Sequence, residues 1–412
     1  MKNLRIGFVG AGFNTLFHLE SLVEVRDCSV TGMVSRTRAS ADRAAARARE
    51  LGLGECVAFD SVEEMAASDS VDAIWVNAPN DSRVAVMEAI ERGNAKRSKG
   101  LLGVACEKPL ARNLKEAQAV VDAMQRAGIS TGYLENQVFS PSVERGKEVI
   151  WKRAVPLSGR PYLARAAEEH CGPHSPWFWQ GEVQGGGVMN DMMCHSVETA
   201  RYLLTPPGAE RESLTLVSVN AQIASLKWSR PNYVQELKDT HGNEIDYANK
   251  PSEDFARCTV TYKDADGNTL IAEATTSWCF VGAGLRLSFE LLGPEYSMRS
   301  NSLETGLEVF LSRRIEGDTG EDLVEKQNAE QGVMPIVPGE AAAYGYAGEN
   351  RHMVQHFLNG TTPRLTFADG LDVVRILMAA YHSAETGQAV DFAATDLSDF
   401  RPAVARGAWN PR

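Results

Sequence analysis

Short apolar runs alternate with amphipathic segments through the first third of the chain. The apolar runs predict strands at residues 4–9, 29–34, 56–59, 73–77, 103–106 and 130–133. Between them, helical periodicity or a composition rich in alanine and arginine predicts helices at about residues 15–25, 39–51, 82–92 and 113–127. This alternation predicts a parallel sheet covered by helices on both faces.

The pattern changes beyond residue 140, where longer segments alternate between apolar and polar positions. Residues 214–224, 255–262, 269–278, 285–292 and 307–312 are predicted to be antiparallel strands. Helices are predicted at residues 144–152, 195–204, 350–358 and 370–386. We therefore expect an α/β protein of two domains. Residues 1–138 carry the doubly wound parallel sheet, and residues 139–412 form an α/β domain with a mostly antiparallel sheet.

Composition excludes several classes of partner. Of 412 residues, 43% are hydrophobic and 23% charged, which is typical of a globular protein. The net charge of −12 argues against nucleic acid and anionic membranes, because both require clustered cations. No run approaches the ~20 apolar residues that span a bilayer, and the first strand follows the N-terminus directly, so we expect no signal peptide and a cytoplasmic protein. The seven cysteines include no Cys-x-x-Cys pair, which fits a reducing compartment without structural zinc.

The first predicted strand leads into a glycine turn that opens a helix. Gly10 permits the tight turn, and Gly12 lets the backbone approach a pyrophosphate at the positive end of the helix, beside Phe13 and Asn14. Thr15 stands where the usual fingerprint has its third glycine, and a plain strand–turn–helix is the alternative interpretation. The position ahead of several βα units favours a dinucleotide site.

The end of the second predicted strand bears on which dinucleotide is bound. NAD sites usually have a carboxylate there to bond the ribose 2′-hydroxyl, whereas this chain has Ser35 and Arg36, with Arg38 close behind. Because arginine pairs with phosphate through two parallel hydrogen bonds, these residues favour NADP. Serine can also bond a free ribose hydroxyl, so NAD stays open as the alternative cofactor.

Three further motifs occur in the order found in a known family. They are Ala78-Pro79-Asn80, Glu107-Lys108-Pro109, and the run from Gly185-Gly186-Gly187 to Asp191 and His195. With the glycine turn, they resemble the Gfo/Idh/MocA oxidoreductase family along nearly the whole chain. The resemblance implies a Rossmann domain followed by an α/β domain with a large, open, mostly antiparallel sheet, which commonly packs in dimers or tetramers. It also implies that Ala78, Pro79, Asn80, Glu107 and Lys108 bind the cofactor.

By the same resemblance, Lys108, Asp191 and His195 form the catalytic set and contact the substrate, and a cis peptide precedes Pro109. The chemistry of the residues agrees with this assignment. Removing a hydride from a carbinol requires that the hydroxyl proton leave as well. A lysine whose pKa is lowered by burial and by nicotinamide charge can accept that proton. His195 titrates near neutrality, and the spacing from Asp191 places both on one helical face.

Two departures from the family pattern leave the details of cofactor binding open. Arg83 stands where many members have histidine, and the connection at residues 93–102 is longer than usual.

A stretch of aromatic and polar residues precedes the triple glycine. Arg165, His170, His174 and Trp177 are candidates for substrate contact, because aromatic rings stack on sugars while histidine and arginine bond hydroxyls or an anionic group. A loop whose aromatic residues simply pack into the core is the alternative. The histidines of this stretch, and the helical pair at residues 352 and 356, form no closed four-ligand pattern, so we expect no metal.

Two functions of different class follow from these motifs. The first is an NAD(P)-dependent oxidoreductase acting on a secondary hydroxyl of a sugar, sugar derivative or cyclitol. The alternative is an NAD-dependent glycoside hydrolase of the same fold, working by transient ring oxidation, elimination, water addition and re-reduction on an anionic or sulfonated glycoside. With either function, we expect a small carbohydrate or cyclitol as partner and a homodimer or homotetramer.

Overall fold

A computed structural model of the chain describes residues 3–312, 314, 325–327 and 331–411. The strands, numbered in chain order, are β1 (Leu4–Val9), β2 (Cys28–Val34), β3 (Val57–Ala58), β4 (Ala73–Val76), β5 (Gly103–Glu107), β6 (Thr131–Leu134), β7 (Leu163–Glu169), β8 (Thr215–Ala224), β9 (Phe255–Lys263), β10 (Thr269–Ser277), β11 (Arg286–Gly293), β12 (Tyr296–Asn301), β13 (Glu308–Leu311), β14 (Gly332–Pro335) and β15 (Val390–Asp391). The helices are α1 (Phe13–Leu22), α2 (Arg38–Glu50), α3 (Val62–Ala67), α4 (Arg83–Asn94), α5 (Leu114–Ala127), α6 (Pro141–Val149), α7 (Val155–Ser158), α8 (Gly181–Gln184), α9 (Cys194–Leu204), α10 (Pro231–His241), α11 (Glu340–Ala343), α12 (Tyr346–Asn359) and α13 (Phe367–Thr386).

The chain divides into two compact units. The first contains the chain up to Ser140 together with Tyr344–Val374, and the second contains Pro141–Ala343 and the chain from Arg375 onward. The domain boundary predicted from the sequence places Tyr344–Val374 in the second domain instead. This segment groups with the first unit because α12 packs there, with the rings of Phe357 and Trp75 in edge contact, their centroids 5.7 Å apart.

The first unit is built on a six-stranded sheet in the order β3-β2-β1-β4-β5-β6. Every pair of neighbouring strands in it is parallel, as predicted. All residues of β4 and β5 are buried, which is the pattern of parallel strands covered on both faces. The carboxyl ends of β1, β2, β4 and β5 therefore share one edge of this sheet.

Local sequence signals explain where the helices of this unit begin and end. The side chain of Asn113 accepts a hydrogen bond from the Glu116 N–H at the start of α5, and Gly128, with φ of 63°, ends that helix. In α2, the side chain of Thr37 caps the N-terminus. Its buried face is made of alanines, which lets the helix lie close to the sheet.

The second unit carries a seven-stranded sheet in the order β12-β11-β7-β10-β9-β8-β15. Only the β7–β10 pair is parallel among these strands, so the predicted mostly antiparallel sheet is confirmed. Strand β7 lies inside this sheet, although its sequence was assigned to the polar stretch of candidate substrate residues. No helix in the described part of the chain is both long and apolar enough to cross a membrane.

Candidate active site

The turn after β1 has the geometry that its glycines predict. Gly10 has φ of 106°, and a Cβ there would lie 2.7 Å from the backbone oxygen of Asn77, so glycine is required. Thr15, at the position of the third glycine, is buried, and its hydroxyl donates to the carbonyl of Gly10 at 3.0 Å. Threonine in place of the third glycine of the fingerprint thus stabilises the turn through a buried hydrogen bond.

The N-terminus of α1 is open in the way an anion site requires. Its N-cap residue, Gly12, provides no side-chain hydrogen bond to the first-turn N–H groups, and a Cβ on Gly12 would meet nothing within 4 Å. Unsatisfied N–H groups at a helix N-terminus attract phosphate. Asn14 lies in this first turn, and the ring of Phe13 is half exposed beside it. These residues fit the pyrophosphate of a dinucleotide.

The two arginines that follow β2 differ in whether a carboxylate balances their charge. Ser35 is half-buried and Arg36 is exposed. Arg38 forms ion pairs with Asp42 at 3.1 Å and Asp60 at 2.6 Å. In the described residues no carboxylate lies within ion-pair distance of Arg36. Of the two arginines, Arg36 therefore keeps its guanidinium available for a phosphate.

Hydrogen bonds connect the loops after β1, β4 and β5. The amide of Asn77 donates to Asn14 Oδ1 at 2.8 Å, and the amide of Asn14 donates to Glu107 Oε1 at 3.4 Å. In the loop after β4, Ala78 and Asn80 are buried and Pro79 is exposed. Lys108, directly after β5, is half-buried and precedes Pro109 through a cis peptide. The cofactor candidates of this unit thus lie along one sheet edge.

A buried hydrogen-bond chain fixes the carboxylate of Glu107. The indole N–H of Trp75 donates to Asn350 Oδ1 at 2.8 Å, which turns the amide nitrogen of Asn350 toward His18 Nδ1 at 2.9 Å. Nδ1 therefore accepts, and the proton on Nε2 is donated to Glu107 Oε1 at 2.9 Å. Sequence reasoning missed His18 and Asn350, because their contacts join positions far apart in the chain.

Glu349 completes a buried group with His18 and Glu107, whose potential ligand atoms lie within 4.8 Å of one another. Burial, followed by the negative charges of Glu107 and Glu135, raises the pKa of Glu349 well above its ordinary value. Because the proton on His18 Nε2 is used toward Glu107, that nitrogen offers no lone pair to a cation in this arrangement. Within this group a hydrogen bond joins His18 to Glu107, and burial favours the neutral form of the Glu349 carboxyl.

The other two expected catalytic residues belong to the second unit. Asp191 lies in a π-helical turn, Met189–Met193, that leads into α9, and His195 lies in the first turn of α9. Both are buried. The indole N–H of Trp278 donates to Asp191 Oδ2 at 3.2 Å, and His195 Nε2 lies 3.8 Å from Glu168 Oε2. Glu168 and Trp278, which contact these two candidate residues, were not predicted from the sequence.

The triple glycine serves packing around the start of this helix. A Cβ on Gly186 would lie 2.0 Å from the hydroxyl oxygen of Tyr381, and one on Gly187 would lie 2.4 Å from the carbonyl oxygen of Glu253. The Gly187 and Met189 N–H groups donate to Glu253 Oε1, and the Tyr381 hydroxyl donates to the same oxygen at 2.6 Å. These bonds fix the turn that carries Asp191.

The four candidates for substrate contact do not lie together. Arg165 occupies the exposed face of β7 and pairs with Glu273 and Glu290, whereas Glu168, which approaches His195, is on the buried face. Since alternate residues of a strand point to opposite faces, Arg165 lies on the face of the sheet opposite His195. The sequence of β7, Leu-Ala-Arg-Ala-Ala-Glu-Glu, has no regular alternation of apolar and polar residues, so periodicity does not indicate a strand here.

The remaining candidates follow β7. His170 is buried, and its Nδ1 accepts a hydrogen bond from the Gly172 N–H at 3.0 Å. His174 is exposed, and Trp177 is half-buried and stacked on Phe178 with ring centroids 3.8 Å apart. Trp179, by contrast, is buried among other aromatic rings, as the alternative interpretation of this stretch expected.

Comparison with known families matches both parts of the chain. Residues 4–133 match the oxidoreductase family with an NAD-binding Rossmann fold that bears the GFO/IDH/MocA name. Residues 157–299 match the GFO/IDH/MocA C-terminal domain.

Curated relatives and solved structures agree with these matches. A 1,5-anhydro-D-fructose reductase of Ensifer adhaerens is 32% identical over 44% of this chain and 52% of its own length. A scyllo-inositol 2-dehydrogenase (NADP(+)) of Bacillus subtilis is 30% identical over 63% of this chain and 80% of its own length. The crystal structure of GenD2 from gentamicin A biosynthesis, in complex with NAD, has a TM-score of 0.75 at 23% identity, covering 95% of this chain and 97% of that one. The chain spans 52% of the length of the anhydrofructose reductase, and 66% and 57% of the lengths of two related D-xylose 1-dehydrogenases from Haloarcula marismortui and Haloferax volcanii.

Proposed function

Because the chain belongs to the Gfo/Idh/MocA family of NAD(P)-dependent oxidoreductases, we propose that it oxidises or reduces a secondary hydroxyl of a sugar, sugar derivative or cyclitol. The observation that carries the proposal is the open N-terminus of α1 behind the Gly10 turn, on the same sheet edge as Lys108. The names of the relatives support the substrate class, since they include a reductase of an anhydro sugar and a dehydrogenase of a cyclitol.

We assign the cofactor contacts to the loops at that edge. The first turn of α1 would hold the pyrophosphate, and the loops with Asn80 and Glu107 would hold the nicotinamide half. Arg36 supports NADP, because its guanidinium has no carboxylate partner in the described residues and arginine binds phosphate. A nicotinamide bound there would supply the acceptor for the hydride of the carbinol carbon, or its donor in the reverse direction.

The protein supplies the proton chemistry of the same step. In the oxidation direction, Lys108 Nζ would accept the proton of the substrate hydroxyl as the hydride leaves the carbinol carbon and the C=O bond forms. Asp191, held by Trp278, orients the substrate, and His195, next to Glu168, relays protons. In this proposal His170, His174 and Trp177 contact the substrate. Arg165 does not, because it lies on the opposite face of the sheet and its charge is balanced by Glu273 and Glu290.

Identifying the bound nucleotide and then screening substrates tests this proposal. The purified protein is denatured, the released nucleotide is identified, and scyllo-inositol, myo-inositol, D-xylose and levoglucosan are assayed with NADP⁺ and with NAD⁺. We expect reduced nicotinamide to accumulate with at least one of them. Aryl glycosides are assayed in parallel, and release of the aglycone without net reduction would favour the glycoside hydrolase and contradict the proposal.

Lys108→Ala checks the assignment of the base. Turnover should fall by ~10²–10⁴, the usual effect of a positioned acid or base, while the nucleotide still binds. Lys99→Ala, at an exposed position of the same unit, is the matched control and should keep wild-type turnover. Near-normal turnover of Lys108→Ala would show that another group takes the proton.

A further inference from the structure

Arg83 is a buried cation held entirely by backbone oxygens. It begins α4 and is only 3% exposed. Its guanidinium donates to the carbonyl of Ala78 at 3.2 Å, to that of Glu107 at 2.5 Å and to that of Lys108 at 3.1 Å. Within the residues that the structure describes, no carboxylate lies at ion-pair distance from it. One side chain thus connects the loop after β4 to the loop after β5.

Arg83 and the side chain of Glu107 together hold the backbone of Lys108 through hydrogen bonds. The Lys108 N–H donates to Glu107 Oε2 at 3.1 Å, while the Lys108 carbonyl accepts from Arg83. The peptide groups on both sides of the Lys108 Cα are therefore fixed. Because the direction of the Cα–Cβ bond follows from the two flanking peptides, Arg83 helps to set the direction in which the lysine side chain leaves the backbone.

The geometry requires the chemistry of arginine. Three carbonyls in two loops need a planar group with several N–H donors at fixed angles, and a guanidinium has five such donors and keeps its charge. Lysine brings the charge but only a single nitrogen atom, and glutamine brings two donors without charge. Neither can reproduce the three bonds together.

We propose that Arg83 is a positioning residue for the reaction, which fixes the backbone of Lys108 so that its amine meets the substrate hydroxyl in a productive orientation. This inference rests on the proposed function, in which Lys108 exchanges the substrate proton. Displacement of a catalytic group by about 1 Å can lower the rate by about 10²-fold. A loss of positioning should therefore reduce kcat more than it reduces binding.

The test compares Arg83→Gln and Arg83→Lys with the wild type, using the substrate and nucleotide found in the screen. We expect Arg83→Gln to lower kcat by ~10–10²-fold, with KM for the substrate and Kd for the nucleotide, measured from the fluorescence of bound NADPH or NADH, changed less than about threefold. Arg83→Lys should recover part of kcat. Arg92→Gln is the matched control, since Arg92 lies on the same helix and pairs with Glu63 at the surface; it should retain wild-type kcat.

A double-variant cycle separates positioning from a structural role. If Arg83 acts through Lys108, Arg83→Gln should lower the residual turnover of Lys108→Ala by less than about twofold, because the group it positions is gone. An equal loss in both backgrounds, or a kcat of Arg83→Gln close to wild type, would overturn the inference. If Arg83→Gln does not fold, the same cycle with Arg83→Lys decides. Wild-type turnover of Lys108→Ala alone would instead contradict the assigned role of Lys108 and the inference with it.

Discussion

The two arginines after β2 show how ion pairing assigns roles to residues of one type. Arg38 is bound to Asp42 and Asp60, so its charge is already balanced at the surface. Arg36 is exposed, and the described residues place no carboxylate at ion-pair distance from it. The sequence already predicts Arg36, next to Ser35, as the cofactor residue, with Arg38 close behind. The neighbouring carboxylates indicate Arg36 as the one to pair with a 2′-phosphate.

Arg36→Ala should therefore weaken NADP binding by about 10–100-fold, the effect of losing a charged hydrogen bond, and should hardly change NAD binding. Titration of both nucleotides, followed by the fluorescence of their reduced forms, measures this. Arg38→Ala is the control and should bind both nucleotides as the wild type does. An equal loss of NAD and NADP affinity in Arg36→Ala would contradict the assignment.

His195 is the second residue for which a neighbour changes the expectation. The carboxylate of Glu168, 3.8 Å away, favours the protonated ring, while burial opposes it. In the oxidation direction, kcat/KM should fall on the acid side as the ring becomes protonated. His195→Asn should abolish this acid limb of the pH profile or move it to another pH, with lower activity overall. Glu168→Gln should move it toward lower pH, because removal of the negative charge disfavours the imidazolium. An unchanged acid limb in both variants would exclude His195 as the titrating relay.

At the scale of the element, the start of α9 is held by the rest of the second unit more than by its own sequence. The spacing of Asp191 and His195 predicted one face of an α-helix, whereas the structure has a π-helical turn, Met189–Met193, between Val188 and α9. A π-turn is wider than an α-turn and re-aims its side chains. Glu253 and Tyr381 stabilise this turn, because they accept hydrogen bonds from the backbone N–H groups of Met189 and Asn190 and of Gly187 just before it.

Gly187→Ala should destabilise the protein by about 1–3 kcal/mol, the usual cost of overpacking, because the new methyl would lie 2.4 Å from the Glu253 carbonyl oxygen. The midpoint of urea denaturation measures the loss. Gly306→Ala is the matched control, since a Cβ there meets nothing within 4 Å. A denaturation midpoint for Gly187→Ala equal to that of the control would show that the turn can shift to admit the methyl.

At the scale of the whole molecule, the buried acids make stability depend on pH. Burial raises the pKa of Glu253 to about 7, although the hydrogen bonds from Tyr381 and from the Gly187 and Met189 N–H groups act against the increase. The ordinary value is 4.5. Since the folded protein holds this proton more tightly than the unfolded chain, the stabilisation is fully present below pH 4.5 and is lost as the pH rises through about 7.

Glu253→Gln should remove this dependence, because the amide oxygen still accepts the hydrogen bonds but does not ionise. The free energy of unfolding of the variant, relative to the wild type, should rise by on the order of 1–3 kcal/mol between pH 5 and pH 8. Denaturation at both pH values measures this difference. Glu236→Gln, at an exposed position of α10, is the control and should show no such change. A constant difference between Glu253→Gln and wild type would contradict the prediction.

The sequence by itself determined the sheet of each unit and the residues worth testing. Hydrophobic periodicity predicted the parallel and antiparallel sheets because period and burial follow directly from local patterns. The turn with Gly10 and Gly12 could also be predicted from the sequence, because a tight turn with positive φ requires glycine. Strand β7 was missed because its polar residues resembled a binding loop.

Only the tertiary structure decided which residues meet. Arg165 and Glu168 are three positions apart, yet the pleat of β7 sends them to opposite faces of the sheet. His18, which donates to Glu107, and Asn350, which donates to His18, come from opposite ends of the chain. The contacts of Arg83 with the Lys108 carbonyl, and those of Glu253 with the triple glycine, likewise join distant segments. Hydrogen bonds act over about 3 Å, so their partners are set by the packing of elements in space, which a one-dimensional pattern does not contain.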